Sequence, residues 1–125
     1  MALKVYAYKN CSTCQKALQF LKSKKIAYQE IPIVDQPPSL QELKQMLKWV
    51  ENEGGNIKSL LNTSGQQYRE LGMSEKLKSG MKSDEVLRLL AANGKLIKRP
   101  FLVSDKGGLV GFKADAWEEF ISSLL

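Results

Sequence analysis

Both cysteines of the chain fall within five residues, Asn10-Cys11-Ser12-Thr13-Cys14, and their setting constrains the fold more than any other feature. Just before them, Leu3-Lys4-Val5-Tyr6-Ala7-Tyr8 is short, apolar-rich and β-prone. Just after, Cys14, Ala17, Leu18 and Leu21 recur at i, i+3, i+4 and i+7, one face of a helix. The pair therefore marks the place where a strand gives way to a helix. Unpaired amides and the dipole at a helix N-terminus stabilise an anion there. The thiolate is the nucleophilic form of cysteine, and pairs with this spacing reach thiol pKa values of ~3.5–7. Ser12 or Thr13 is the expected N-cap, and the backbone amides of residues 12–14 form an expected anion pocket. This context points to a reactive Cys11. The plainer alternative is two small buried cysteines that fill space. A zinc half-site fits poorly, because zinc needs four ligands and the chain has no further cysteine and no histidine.

Without histidine there is no Ser-His-Asp or Cys-His hydrolase and no imidazole base or metal ligand. Chemistry must rest on thiols, arginines, lysines and backbone amides. At 125 residues, 43% of them apolar, the chain is sized for one domain with a hydrophobic core. No apolar run approaches the ~18–20 residues of a membrane span, and Met-Ala-Leu-Lys-Val-Tyr runs straight into a strand without the regions of a signal peptide. A cytoplasmic protein is expected, in which a close cysteine pair is more often catalytic than structural. The net charge of +6 is uneven: Lys and Arg dominate residues 1–34 and 72–100, while the last 25 residues are net negative. A basic setting favours anionic substrates and lowers a thiol pKa, although it equally suits nucleic acid, an acidic partner or a merely solvated surface.

Residues 26–34 read as a second strand, with Pro32 marking it as an edge strand. Strand, helix and strand make a βαβ unit with parallel strands and a right-handed crossover. Asp35-Gln36-Pro37-Pro38 breaks the pattern, and Ser39-Leu40-Gln41-Glu42 is a capping box opening a helix that Gly54-Gly55 ends. Short helical turns follow at Ile57–Leu61 and Tyr68–Met73. Ser83 can cap a helix carrying Val86, Leu87, Leu90 and Ala91, with Asn93-Gly94 as its stop. Phe101–Ser104 and Leu109–Phe112 flank a turn and predict a hairpin. Trp117, Phe120, Ile121 and Leu124 predict a closing helix whose apolar face packs on the sheet. The expected architecture is α/β: a small mixed sheet flanked by helices, built from residues 1–34 and 96–125, with residues 35–95 as a helical insertion.

That order, with Cys-x-x-Cys opening the first helix and Arg99-Pro100 before the third strand, resembles the thioredoxin fold and its mixed four-stranded sheet. More closely, the chain resembles the ArsC family of glutaredoxin-like arsenate reductases and their Spx-type relatives. The resemblance rests on Lys9-Asn10-Cys11-Ser12-Thr13-Cys14, on Leu60-Leu61-Asn62-Thr63-Ser64-Gly65 leading to Tyr68-Arg69-Glu70-Leu71-Gly72, and on Leu96-Ile97-Lys98-Arg99-Pro100-Phe101. In arsenate reductases of this type the first cysteine attacks arsenate and three arginines hold the oxyanion. Cys11 matches that cysteine, and Arg99, before an implied cis Pro100, matches one arginine. The family's Leu-Leu-Arg reads Leu61-Asn62 here, and Lys113 stands where the third arginine is expected.

The resemblance implies a thiol–disulfide oxidoreductase, related to arsenate reductases, that works through a Cys11–Cys14 pair. Cys11, Cys14 and Arg99 would be its catalytic residues, and Ser12, Thr13, Pro100 and Lys113 would meet the substrate. Thioredoxin, glutaredoxin or glutathione would donate electrons, a small oxyanion is the candidate substrate, and no metal, organic cofactor, membrane or direct DNA contact is implied. The alternative implied by the Spx-type branch is a redox-sensing transcription regulator that binds the RNA polymerase α subunit.

Overall fold

The computed structural model describes residues 3–125. Met1 and Ala2, the start of the segment expected to lead straight into a strand, lie outside them. Strand β1 (Lys4–Ala7) is followed by helix α1 (Ser12–Ser23) and strand β2 (Gln29–Pro32). Helices α2 (Leu40–Asn52), α3 (Gln66–Glu70), α4 (Met73–Lys78) and α5 (Ser83–Ala92) come next, with short 3-10 turns at Ile57–Leu60 and Gly94–Leu96. Strands β3 (Phe101–Val103) and β4 (Gly108–Val110) and helix α6 (Ala114–Leu124) complete the chain.

The four strands lie in the order β2-β1-β3-β4. β1 and β2 are parallel, with Tyr6 opposite Ile31, while β3 runs antiparallel to both β1 and β4. This is the mixed, thioredoxin-like sheet that the sequence predicts, with β2 at an edge where Pro32 removes no ladder hydrogen bond. β2 is shorter than the expected residues 26–34. Lys25 adopts a left-handed conformation (φ 58°), and the Ile26 amide turns back to the Leu21 carbonyl at 3.0 Å, so the first of those residues finish α1 instead.

Alternation along the strands splits the core into two layers. Leu3, Val5, Ala7 and Leu102 face α1 (Cys14, Ala17, Leu18, Leu21) and α6 (Trp117, Ile121, Leu124). Tyr6, Ile31, Phe101 and Val103 face α2 (Leu43, Met46, Leu47) and α5 (Val86, Leu87, Leu90). Each fully buried side chain of this kind contributes roughly 1.5–3 kcal/mol relative to exposure. A sheet covered on both faces explains why β1 and β3 read as nearly continuous apolar runs.

Two helix ends differ from their sequence expectation. α5 begins at Ser83 itself, with Lys82 in the capping position and no side-chain cap. Ser83 is already helical, so its hydroxyl does not meet the first-turn amides; Asp84 and Glu85 favour that end through the dipole instead. α5 stops before Asn93-Gly94 as expected, but not through a left-handed glycine. Gly94 is needed because any Cβ there would overlap the Ile33 carbonyl. The capping box of α2 forms as predicted, between Ser39 and Glu42.

Candidate functional site

The end of β1, the start of α1 and the loop before β3 meet at one rim of the sheet. α1 begins at Ser12, one residue earlier than a Ser12 cap and two earlier than a Thr13 cap would give, and Cys11 is its N-cap (φ −106°, ψ 113°). The Cys11 sulfur takes the place of a capping hydroxyl and accepts the Cys14 amide hydrogen bond at 3.4 Å. The Cys11 amide donates to the Tyr8 carbonyl at 3.1 Å, and its carbonyl accepts from Gln15 at 3.1 Å. Ser12 and Thr13, both exposed, are free of the capping role. The Cys14 amide therefore bears on the thiol sulfur itself. Both cysteines are free thiols, Cys11 partly exposed and Cys14 fully buried beneath it.

Their acidities diverge. Burial pushes the Cys11 thiol up, but hydrogen bonds from the Cys14 side chain and amide, together with the donor and charge of Arg99, outweigh it and bring the pKa below the ordinary thiol value. Burial also dominates at Cys14, where the charge and hydrogen bond of Cys11 add to it. A backbone hydrogen bond from Tyr8 and the Arg99 charge only partly offset this, and the thiol is pushed up to about 12.

The Arg99–Pro100 peptide bond, which is cis, stands immediately before β3, and Arg99 lines the same cavity as Cys11. Its guanidinium lies 4.7 Å from the centre of the Tyr8 ring, and its Nη1 makes a long bond, 3.5 Å, to the Lys95 carbonyl. Cys11, Thr13, Asn62, Lys98, Arg99 and Lys113 share the lining of one open cavity of about 390 Å³. Ser12 and Pro100 are absent from that lining, Ser12 exposed and Pro100 buried. Asn62 is held by its amide to the Leu96 carbonyl (2.9 Å) and by its side chain to the Lys95 carbonyl (3.4 Å). Gly111, with φ 74°, turns the chain out of β4 toward Lys113; its amide bonds the Pro100 carbonyl at 2.8 Å and its carbonyl accepts the Trp117 indole N–H at 2.9 Å.

Tyr8 and Lys98 also belong to this neighbourhood, though neither stood out in the sequence. Tyr8 reads as the last residue of a β-prone run and Lys98 as one lysine among many, and only the folded loop brings them to the thiols. Among the described residues no cluster of His, Cys, Asp and Glu could hold a metal ion, and no helix is long and apolar enough to cross a membrane.

Three comparisons bear on this site. The uncharacterized protein YusI of Bacillus subtilis (strain 168) is 45% identical over 95% of this chain and 98% of its own length. The regulatory protein MgsR of the same organism is 33% identical over 88% of this chain and 82% of its own. The solved structure of a possible arsenate reductase from Streptococcus mutans UA159 superposes with a TM-score of 0.81 at 38% identity, covering 95% of this chain and 97% of that one. With the ArsC family model also matching residues 6–120, the chain belongs to the ArsC family.

Proposed function

We propose that the protein is an ArsC-like thiol–disulfide oxidoreductase that cycles through a Cys11–Cys14 disulfide. The observation that carries this reading is the asymmetry of the pair: a partly exposed thiol with a lowered pKa, capped onto a fully buried one pushed up to about 12. Cys11, as thiolate, attacks a substrate sulfur, forming a mixed disulfide and expelling the other half as a thiolate. At that moment the Cys11 negative charge is gone. The part of the Cys14 elevation that came from that charge goes with it, so Cys14 becomes easier to ionise when its nucleophile is needed. Cys14 then gives up its proton and attacks the Cys11 sulfur, closing the internal disulfide and releasing the reduced product thiol. Two electrons leave the pair, and thioredoxin, glutaredoxin or glutathione returns them.

In this reading Arg99 stabilises the Cys11 thiolate and holds an anionic group in the cavity, with Lys113 and the side chain of Thr13 as further contacts. Trapping tests the scheme. Cys14→Ser protein should accumulate a mixed disulfide with oxidised glutathione at Cys11, whereas wild type should release it and end as an internal disulfide; mass spectrometry distinguishes the two. Cys11→Ser protein that still forms adducts rapidly at Cys14 would overturn the assignment.

A second reading is favoured by one observation, the similarity to MgsR, which is named a regulatory protein. Here the same pair would sense redox state, and its oxidation would govern binding to the RNA polymerase α subunit, as the Spx-type resemblance implies. Pulldown of the polymerase α subunit by oxidised but not reduced protein, without turnover in a thioredoxin- or glutaredoxin-coupled assay, would support this reading over the enzyme.

A further inference from the structure

We infer that Tyr8 is a positioning residue that sets the Arg99 guanidinium against the Cys11 thiolate while leaving its charge unneutralised. The inference rests on the proposed role of the Cys11 thiolate and extends it. An arginine side chain is long and rotamer-rich, so a guanidinium that must serve one sulfur needs a holder. The usual holder is a carboxylate, but a carboxylate would cancel the field that stabilises the thiolate. Among the described residues no carboxylate forms an ion pair with Arg99; the ion pairs present are Lys4–Glu42 and Lys24–Glu118. The hydrogen bond to the Lys95 carbonyl, at 3.5 Å, is too long to fix the group alone. What lies against it is the face of Tyr8, 4.7 Å from the ring centre. An aromatic face holds a cation through its quadrupole and contributes no net negative charge.

Tyr8 is itself tied to the thiol loop. Its carbonyl accepts the Cys11 amide at 3.1 Å. One residue thus fixes the loop bearing the nucleophile and the cation facing it. The other charges around Arg99 do not take over this task. Lys95 and Glu70 line the cavity on the Tyr8 side, where Glu70 accepts a hydrogen bond from Gln66 at 2.8 Å, and Lys98 and Lys113 line the Cys11 side.

The experiment measures the rate of Cys11 alkylation by iodoacetamide against pH in the reduced full-length protein carrying Cys14→Ser. Tyr8→Leu should move the profile to higher pH and slow alkylation at pH 7 roughly two- to fivefold, as loss of one cation–π contact implies. Tyr8→Phe keeps the ring and should restore the profile. In an Arg99→Ala background, itself shifted to higher pH, Tyr8→Leu should add nothing. Tyr8→Met, closer to tyrosine in bulk, replaces Leu if that variant does not fold. An unmoved profile in Tyr8→Leu with Arg99 present overturns the inference, as does an equal shift with and without Arg99, which would mark a purely structural role. If Arg99→Ala leaves the profile unmoved, the proposed thiolate role of Arg99 fails and the inference falls with it.

Discussion

At Cys11, burial and hydrogen bonding act in opposite directions on one sulfur, and the hydrogen bonds win. Iodoacetamide should therefore label Cys11 first, with half-maximal rate below the ordinary thiol value of ~8.5, and label Cys14 only after unfolding. Peptide mapping of briefly alkylated protein checks this, and early label at Cys14 would reverse the roles. The cavity next to the sulfur has Arg99, Lys113 and Asn62 on its wall, and the resemblance to the family's arsenate reductases implies an arginine at the place of Asn62. Asparagine brings no charge, and lysine lacks the planar fork that grips a tetrahedral oxyanion at two points. Each lost charge-assisted hydrogen bond is worth roughly 1.5–3 kcal/mol, one to two decades in rate where it acts in the transition state. Arsenate reduction with a glutaredoxin donor should be weak, and Asn62→Arg with Lys113→Arg should raise it at least tenfold. Robust turnover by the wild type would contradict this.

The junction between β1 and α2 depends on one carboxylate. Glu42 completes the capping box by accepting from the Ser39 amide at 3.2 Å, accepts the Tyr6 hydroxyl at 2.7 Å, and pairs with Lys4. Burial raises its pKa, but these donors outweigh it and hold the carboxyl below its ordinary value. A depressed folded-state pKa means that the stabilisation is complete above the unfolded value of ~4.3 and lost as pH falls through the folded one. Glu42→Ala should cost about 2 kcal/mol, discounted from the sum of the lost bonds because both ionic partners are partly exposed. Urea titration at pH 7 and at pH 3 checks it, the penalty shrinking at the lower pH. Gly94 is a steric counterpart: Gly94→Ala should cost about 1–3 kcal/mol by forcing the Ile33 backbone away, and an unchanged urea midpoint would refute this.

Across the whole molecule, alkaline pH opposes folding through two buried acids. Cys14 is pushed up to about 12 by its burial, and Tyr6 is raised by its own burial and by Glu42. Both bind protons more tightly folded than unfolded, so once the unfolded chain ionises, near ~8.5 for cysteine and ~10 for tyrosine, stability declines with pH, by up to about 1.4 kcal/mol per unit for each group. Reduced protein should show a falling urea midpoint from pH 8.5 upward, and Cys14→Ala should flatten the first part of that fall. A pH-independent midpoint in wild type would contradict the burial of these groups as neutral acids.

Local periodicity was enough to place the strands and helices that build the sheet, because alternation and the i, i+3, i+4 pattern of Cys14, Ala17, Leu18 and Leu21 are properties of the chain itself. The capping box at Ser39 and the edge character of Pro32 were legible for the same reason. The place of the cysteine pair between strand and helix was legible in the same way. Periodicity did not resolve other features, some local and some joining residues far apart in sequence. A left-handed Lys25 and the Ile26 amide trimmed β2, and the approach of Gly94 to Ile33 replaced the expected glycine cap with a steric requirement. Cys11 rather than Ser12 or Thr13 became the N-cap because the helix began one or two residues earlier, a difference that propensity does not resolve. The Tyr8–Arg99 contact joins positions separated by the whole helical block, and no local pattern encodes it. Residue types and their periodicity placed the cysteine pair between strand and helix; only packing across the sheet decided what surrounds it.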